Sequence, residues 1–454
     1  MLNSVDRDEE YLLLDKAFDH LFPILRSITG PGLERSLDFF EKFMPLQREL
    51  VPSGAKVFDW EVPLEWHCKR AMLTAPCGTV ICDTDVNNLH VLNYSEGIKG
   101  RFSLEQLQPH LHSLPSLPTA VPYVTSYYQR TWGFCLKHED REKLAPGTYE
   151  VSIDASFKEG GVPFAHTLLE GQASKEILLS SYLCHPSLAN NELSGPLVLL
   201  ALYNRIKKWP RRRYSYRFLL NPETIGALCF LSRYGAQLKD NLHAGLVLTC
   251  LGGPTDKLRY KASRNGDNIF DKMLSKKQYK QLRLPEQVIA TPFCPLGGSD
   301  ERQYGAPGIQ LPVGQIARTV YGEYDGYHNS LDTKEFMSID QLVKSVDTIE
   351  SLLLYGEVAD CPVNLLPFGE PQLGKRGLYP NMNNASSREK SDDTRVDGRT
   401  ELNRRLKLLN MADGKTDLFE IAEAADCQID DLIAEVERLE EAGMIAYHCE
   451  LPKL

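Results

Sequence analysis

Apolar residues recur at helical spacing over residues 9–46: Tyr11, Leu12, Leu14, Phe18, Leu21, Phe22, Ile24 and Leu25, then Leu33, Leu37, Phe39, Phe40 and Phe43. A Gly-Pro-Gly step at 30–32 interrupts the run, which predicts two helices. From about Val57 the texture changes to short alternating or β-rich runs: VFDWEVP, AMLTAP, GTVICDT, LHVLNY and TYEVSIDAS. Residues 52–145 therefore read as an inserted, mainly β module, with a single helix predicted at Ser103–Leu114.

After residue 146 strands and helices alternate. EILLSSYLC (176–184), YSYRFLLN (214–221), HAGLVLTC (243–250) and GIQLPVGQIA (308–317) read as strands. Helical periods occupy Leu193–Lys208, Thr224–Tyr234, Asp267–Leu274 and Ser338–Leu354. Such alternation predicts an α/β/α sandwich around a mainly parallel sheet, built from residues 1–51 and 146–360. The polar, aperiodic stretch within 361–400 reads as a linker. Residues 401–454 carry three short amphipathic helices, ELNRRLKLLNM, DLFEIAEAA and IDDLIAEVERLEEAGM, then a strand-like IAYHCELP, the order of a winged-helix module.

Composition narrows the function classes. The chain has 454 residues, 42% of them apolar and 25% charged, which fits folded domains rather than disorder. Its longest apolar stretch, Pro196–Tyr203, falls far short of the roughly 20 residues that span a membrane. The N-terminus lacks a basic start with an apolar core, and the 11 cysteines are scattered with no C-x-x-C. A reduced, cytoplasmic protein is expected. The net charge of −10 opposes general phosphate-backbone binding. Residues 401–454 hold 13 acidic and 6 basic residues, so −7 of that charge sits in the tail. A groove-reading helix needs the opposite sign, so the tail is expected to pair proteins, including copies of this chain, rather than bind nucleic acid. The basic run from Arg205 to Arg217 reads as a solvated helix end and loop.

In an open α/β sheet, ligands gather beyond the carboxyl ends of the strands. His185 leaves one such end, with Asn191 and Glu192 six and seven residues on, opening a helix. Glu223 lies in a second strand-to-helix turn, Asn-Pro-Glu-Thr-Ile-Gly. Gly-Gly-Ser-Asp-Glu-Arg at 297–302 and Tyr-His-Asn-Ser-Leu-Asp-Thr at 327–333 supply further polar groups. Catalytic zinc takes about three His or carboxylate ligands and keeps a place for water, whose proton needs an acceptor. His185, His328 and one carboxylate could be the ligands and Glu223 the acceptor. The same residues have structural readings: a hydrogen-bonded strand-end His, a helix-dipole Glu, a turn at Ser299-Asp300, and Ser194-Gly195 as a tight packing step.

In this order, the residues resemble the zinc exopeptidases of the bacterial leucine aminopeptidase type. LFPILRSITGPG, VPSGAKVFDWEVPLEW, VPYVTSYYQRTWGFC, CHPSLANNELSG, FLLNPETIGA and GGSDERQYGAPGIQLPVG are more closely similar to a bacterial family of aminopeptidase-like proteins associated with polysaccharide biosynthesis. That resemblance implies a peptidase core with an inserted β module and a C-terminal winged helix. It places His185 and His328 at the first and last metal His, and Glu223 at the general base. Asn191 stands where the bridging Asp would be, and Thr224 where a ligating Glu would be. Thr249-Cys250 falls where another Asp ligand would be. With three carboxylates replaced, the resemblance implies a single zinc on His185 and His328. Glu192 is the first choice for a third ligand, Asp300 and Glu223 are alternatives, and Asn191 is a weak ligand or an orienting group. Arg302 could meet an anionic substrate group. The implied activity is hydrolysis of an amide in a peptide-like or amino-sugar-type small molecule; a fold that has lost its chemistry and only binds is the alternative.

Overall fold

The computed structural model describes residues 6–275, 287–379 and 398–453. The chain divides into two compact units, one of residues 1–271 with 287–350, the other centred on 351–454.

Along the first unit come α1 (Arg7–Leu21), α2 (Pro31–Glu41) and β1 (Gln47–Pro52). Then follow β2 (Glu65–Thr74), β3 (Val80–Asp83), β4 (Ile98–Ser103), α3 (Leu104–Leu107), β5 (Thr148–Lys158) and β6 (Gly161–Leu169). The α/β alternation begins with β7 (Glu176–Tyr182), α4 (Ser194–Lys207), β8 (Ser215–Asn221), α5 (Ile225–Asn241) and β9 (Leu242–Leu248). It continues with β10 (Leu258–Lys261), α6 (Ile269–Ser275), β11 (Val288–Thr291), α7 (Glu301–Tyr304), β12 (Val313–Ala317) and α8 (Ile339–Val358).

The main sheet has eight strands in the order β1-β6-β8-β7-β9-β12-β10-β11. Its centre, β8-β7-β9-β12, is parallel, while β1, β6 and β10 pair antiparallel with neighbours. The central strands are continuous apolar runs because both faces are covered: Ile177, Leu178, Leu179, Phe218, Leu219, Leu246 and Val247 are all fully buried. From β7 the chain crosses by α4 to β8 on one side, then by α5 to β9 on the other. Right-handed crossovers in opposite directions put these helices on opposite faces. The carboxyl ends of β7 and β8 thus flank a crevice, the topological switch point where α/β proteins bind ligands.

The insert folds as a separate four-stranded antiparallel sheet, β3-β2-β5-β4. Its β5 alternates buried and exposed positions, unlike β7, and carries this sheet to Lys158, beyond the predicted boundary at 145. The helix predicted at Ser103–Leu114 stops at Leu107 and continues as a single 3₁₀ turn at Gln108–His110. Pro109 cannot donate to a continuing helix, which explains the stop.

The basic run is not all solvated. Arg205 is buried on α4 and forms ion pairs with Glu10, Asp347 and Glu350. Arg217 is buried on β8 against Glu176 at 2.9 Å. Each charge is compensated in place, as burial demands. All 11 cysteines are free. No helix among the described residues is long and apolar enough to cross a membrane.

The second unit contains β13 (Val363–Asn364), α9 (Gly398–Met411), α10 (Leu418–Ala424), α11 (Ile429–Glu441) and β14 (Ile445–Ala446). Leu408, Leu418, Ile421, Leu432 and Leu439 are buried within it, with an Arg405–Glu435 ion pair at 2.8 Å. The strand foreseen at Ile445 pairs with β13, so the start of the predicted linker belongs to this unit. Residues 380–397 of that linker lie outside the described residues.

Gly195, on the first turn of α4, lies against Ser181 Oγ of β7 and the Leu248 carbonyl of β9. Gly195→Ala is expected to lower stability by about 1–3 kcal/mol through overpacking, measured by thermal unfolding. An unchanged melting temperature would refute the close packing at that step.

Candidate active site

The turn after β7 places Cys184 and His185 at the switch point. The chain then enters α4 through a π-turn, Ala189–Leu193, a geometry often found at functional sites. Its backbone is held from outside: Asn190 N and Asn191 N donate to the two carboxylate oxygens of Asp332, at 2.8 and 2.9 Å. Asp332 lies four residues beyond His328, so one carboxylate fastens the loops that carry both histidines.

The turn also aims Glu192 back at the strand end. Glu192 Oε2 lies 2.7 Å from His185 Nδ1, and Oε1 accepts the Cys184 N–H. Arg26, fully buried after α1, stands behind with Nε 3.8 Å from Glu192 Oε1 and donates to the His185 carbonyl at 3.0 Å. With Nδ1 engaged, His185 turns Nε2 toward Glu223, 3.8 Å from its Oε2. Burial disfavours the charged form of His185, but Cys184 and Glu192 outweigh this and raise its pKa.

Glu223 follows β8 on a turn whose next residue, Thr224, adopts φ 61°. Asp300 accepts the Thr224 N–H at 2.7 Å and the Asn221 side-chain amide at 2.9 Å, which pins this unusual turn. Ser299 Oγ donates to Glu223 Oε1 at 2.6 Å. Burial raises the pKa of Glu223, opposed by His185 and by the Ser299 hydrogen bond. Burial and neighbouring Glu223 push Asp300 up to about 7. Arg302 donates to the Ser299 carbonyl at 3.3 Å, and its charge acts on Glu223 in the opposite sense to burial.

His328 stacks on Tyr327 with ring centres 4.0 Å apart, and its ring centre is 5.4 Å from that of His185. Burial and the His185 charge lower its pKa to about 3, so it presents a neutral imidazole. Its backbone is in the left-handed region at φ 56°, and its carbonyl accepts the Tyr123 N–H at 2.8 Å. Tyr123 also lies against both imidazoles, at 4.9 and 5.4 Å.

Of the residues singled out from sequence, His185, Glu223, Thr224 and His328 line one cavity of about 540 Å³. Asn191, Glu192, Asp300 and Arg302 are not on its wall. Asn191 Oδ1 is buried without a hydrogen-bond partner, although its amide nitrogen reaches the Tyr182 hydroxyl at 3.3 Å. Cys184, His185 and Glu192 are the group among the described residues whose ligand atoms lie within 4.8 Å of one another. Sequence reasoning missed Arg26, Trp60, Tyr123, Tyr127, Tyr128 and Asp332. The signals present were a lone Arg between apolar residues in LFPILRSITG and the aromatic cluster VPYVTSYYQ.

Residues 16–358 match the family described as a domain of unknown function, DUF4910, and residues 360–447 match a winged helix-turn-helix. The chain belongs to the DUF4910 family. This DUF4910 chain is 39% identical, over 436 residues, to a Clostridium acetobutylicum protein named for polysaccharide biosynthesis and an aminopeptidase-like domain. The match covers 96% of this chain and 95% of that protein. A crystal structure of a protein from the same organism, titled as a peptidase, is 36% identical with TM-score 0.81, covering 96% of each chain. Two more distant structures share the fold. A peptidase M28 precursor from Shewanella amazonensis is 11% identical with TM-score 0.52, covering 76% of this chain and 91% of its own. A zinc aminopeptidase from Bacillus subtilis is 13% identical with TM-score 0.51, covering 76% and 93%.

Glu192→Ala is expected to cost about 3–5 kcal/mol, because it leaves the Arg26 guanidinium buried without its carboxylate. The Arg26→Met, Glu192→Ala double variant should recover part of this loss. Denaturant unfolding of the parent, the two single variants and the double variant checks it, and additive losses would show that the two residues are not coupled.

Proposed function

We propose that this protein is a zinc-dependent, aminopeptidase-like hydrolase that cleaves an amide in a peptide-like or amino-sugar-type small molecule. The observation that carries the reading is the convergence of His185, His328 and Glu223 on one cavity at the switch point of the sheet. The donor set on the cavity wall suits one ion: two imidazoles, one of them kept neutral. It does not suit two, since among the described residues Glu223 is the sole carboxylate on the cavity wall. His185 and His328 would hold the zinc. Both oxygens of Glu192 are engaged, which fits a carboxylate that orients the His185 ring. A zinc bound there would lower the pKa of water and polarise a carbonyl.

This chain's own residues then handle the proton. Glu223, its carboxylate steadied by Ser299, takes a proton from water as the water oxygen bonds to the amide carbon. The carbon–nitrogen bond breaks, and Glu223 returns the proton to the departing nitrogen, giving a free amine and a carboxylic acid. Asp300 keeps the Glu223 turn in place through the Thr224 N–H.

Purified protein should contain about one zinc per chain by elemental analysis. The ion should be absent from the His185→Ala, His328→Ala double variant. Turnover on a panel of aminoacyl and N-acyl amino-sugar amides should fall roughly 10²–10⁴-fold in Glu223→Gln with folding unchanged. Zinc that persists in the double variant, or turnover that survives Glu223→Gln, would refute the reading. The single wall carboxylate also favours a second reading, a fold that binds without catalysis. Any turnover abolished by Glu223→Gln removes it.

A further inference from the structure

The cavity that holds His185, Glu223 and His328 has two walls of different origin. The catalytic side comes from the loops after β7, β8 and β12. The adjoining part of the wall is aromatic and comes from the inserted segment: Trp60, Tyr123, Tyr127 and Tyr128. Tyr123 and Tyr127 are half-buried and share a hydroxyl–hydroxyl hydrogen bond at 2.8 Å, which stiffens this wall. Tyr128 is different. It is 71% exposed and meets Trp60 edge to face at 5.4 Å, so the two rings form an open apolar corner.

Beyond that corner lies a second cavity of about 380 Å³. Tyr127 and Tyr128 line both, so they form a shared step between the two. The second cavity is rich in hydrogen-bonding groups, with Glu61, Gln129, Arg130 and Glu159 on its wall. The Arg130 guanidinium is laid over the Phe157 ring at 3.5 Å, which holds it in place. Each cavity alone is of small-ligand size, and a substrate filling both would be longer than a single residue or sugar.

The lining also discriminates between amide types. A peptide that presents its free amino terminus to the catalytic cavity needs an anion there to balance the ammonium. Among the described residues Glu223 is the only carboxylate on that wall, and on the hydrolase reading it is committed to the proton. Flat rings flanked by hydroxyls, followed by a polar compartment, suit a pyranose: its C–H face lies on an aromatic ring while its hydroxyls reach polar groups.

We propose, resting on the hydrolase reading, that the substrate is an acylamino sugar within an oligosaccharide. Its amide lies at His185, Glu223 and His328, and its neighbouring sugar passes the Tyr127–Tyr128 step into the second cavity. Tyr128 and Trp60 determine the length preference.

Full-length protein titrated calorimetrically with N-acetylglucosamine, its β-linked dimer and tetramer, and the tripeptide Leu-Gly-Gly tests this. The tetramer is expected to bind about tenfold more tightly than the monosaccharide. Tyr128→Ala, at an exposed position on the step shared by both cavities, should weaken the tetramer about fivefold and the monosaccharide by less, so that the length preference shrinks. Trp60→Ala should act in the same direction. Equal affinity for monosaccharide and tetramer, no binding of any sugar, or tighter binding of the tripeptide would overturn the proposal. Calorimetric binding requires neither metal nor turnover. A length preference reduced in Tyr128→Ala therefore supports the cleft even if Glu223→Gln proves without effect. Zinc and Glu223-dependent turnover without a length preference would sink the cleft and leave the hydrolase standing.

Discussion

The site depends on a buried carboxylate taking one nitrogen of one imidazole. Glu192 occupies His185 Nδ1 and the Cys184 N–H together, and Arg26 stands behind it as the compensating charge. A histidine has two usable nitrogens, and whichever is engaged by a partner decides what the other can do. Here the engagement leaves Nε2 for the cavity, opposite Glu223. A buried carboxylate needs a compensating charge close by, and the guanidinium that supplies it is itself anchored to the Leu21 and His185 carbonyls. The segment between the first two helices is thus part of the site, although it contributes nothing to the cavity wall at Arg26 itself.

The sheet contributes position. Opposite crossovers from neighbouring strands open the crevice, and residues at the ends of β7 and β8 fall on its two sides without further instruction. The insert contributes a surface of a different kind. Its own sheet has one face toward solvent, yet its aromatic loop is turned onto the histidines through the His328 carbonyl and the Tyr123 N–H. The histidines and Glu223 on the core and the aromatic residues on the insert can therefore vary separately, a division common where loops on a stable scaffold carry function.

Much of the architecture was legible in the sequence. Strands buried on both faces are unbroken apolar runs, so EILLSSYLC and YSYRFLLN could be read directly, and the β-rich texture marked the insert. The end of the insert was harder to read, because β5 follows the same alternating pattern as an edge of the core sheet would. His185 and Glu223 were legible because each sits just past a strand, whereas His328, well inside the long loop after β12, was legible from the polar stretch Tyr-His-Asn-Ser-Leu-Asp-Thr. Glu192 was visible, but a spacing of seven residues across a turn is compatible with contact to Nε2 or to Nδ1 of His185, and only the π-turn decides. Asp332 and Arg26 act across more than a hundred residues, and no local pattern encodes such contacts. Arg205 and Arg217 looked like surface charge because their carboxylate partners lie elsewhere in the chain.

Asp332 reaches the backbone N–H groups of Asn190 and Asn191 from a position four residues past His328. The two histidines are therefore mechanically geared to one another. Movement of either loop must stretch the same pair of hydrogen bonds, so the halves of the site can loosen only together. A ligand that settles one imbues the other with the same rigidity, whichever it touches first.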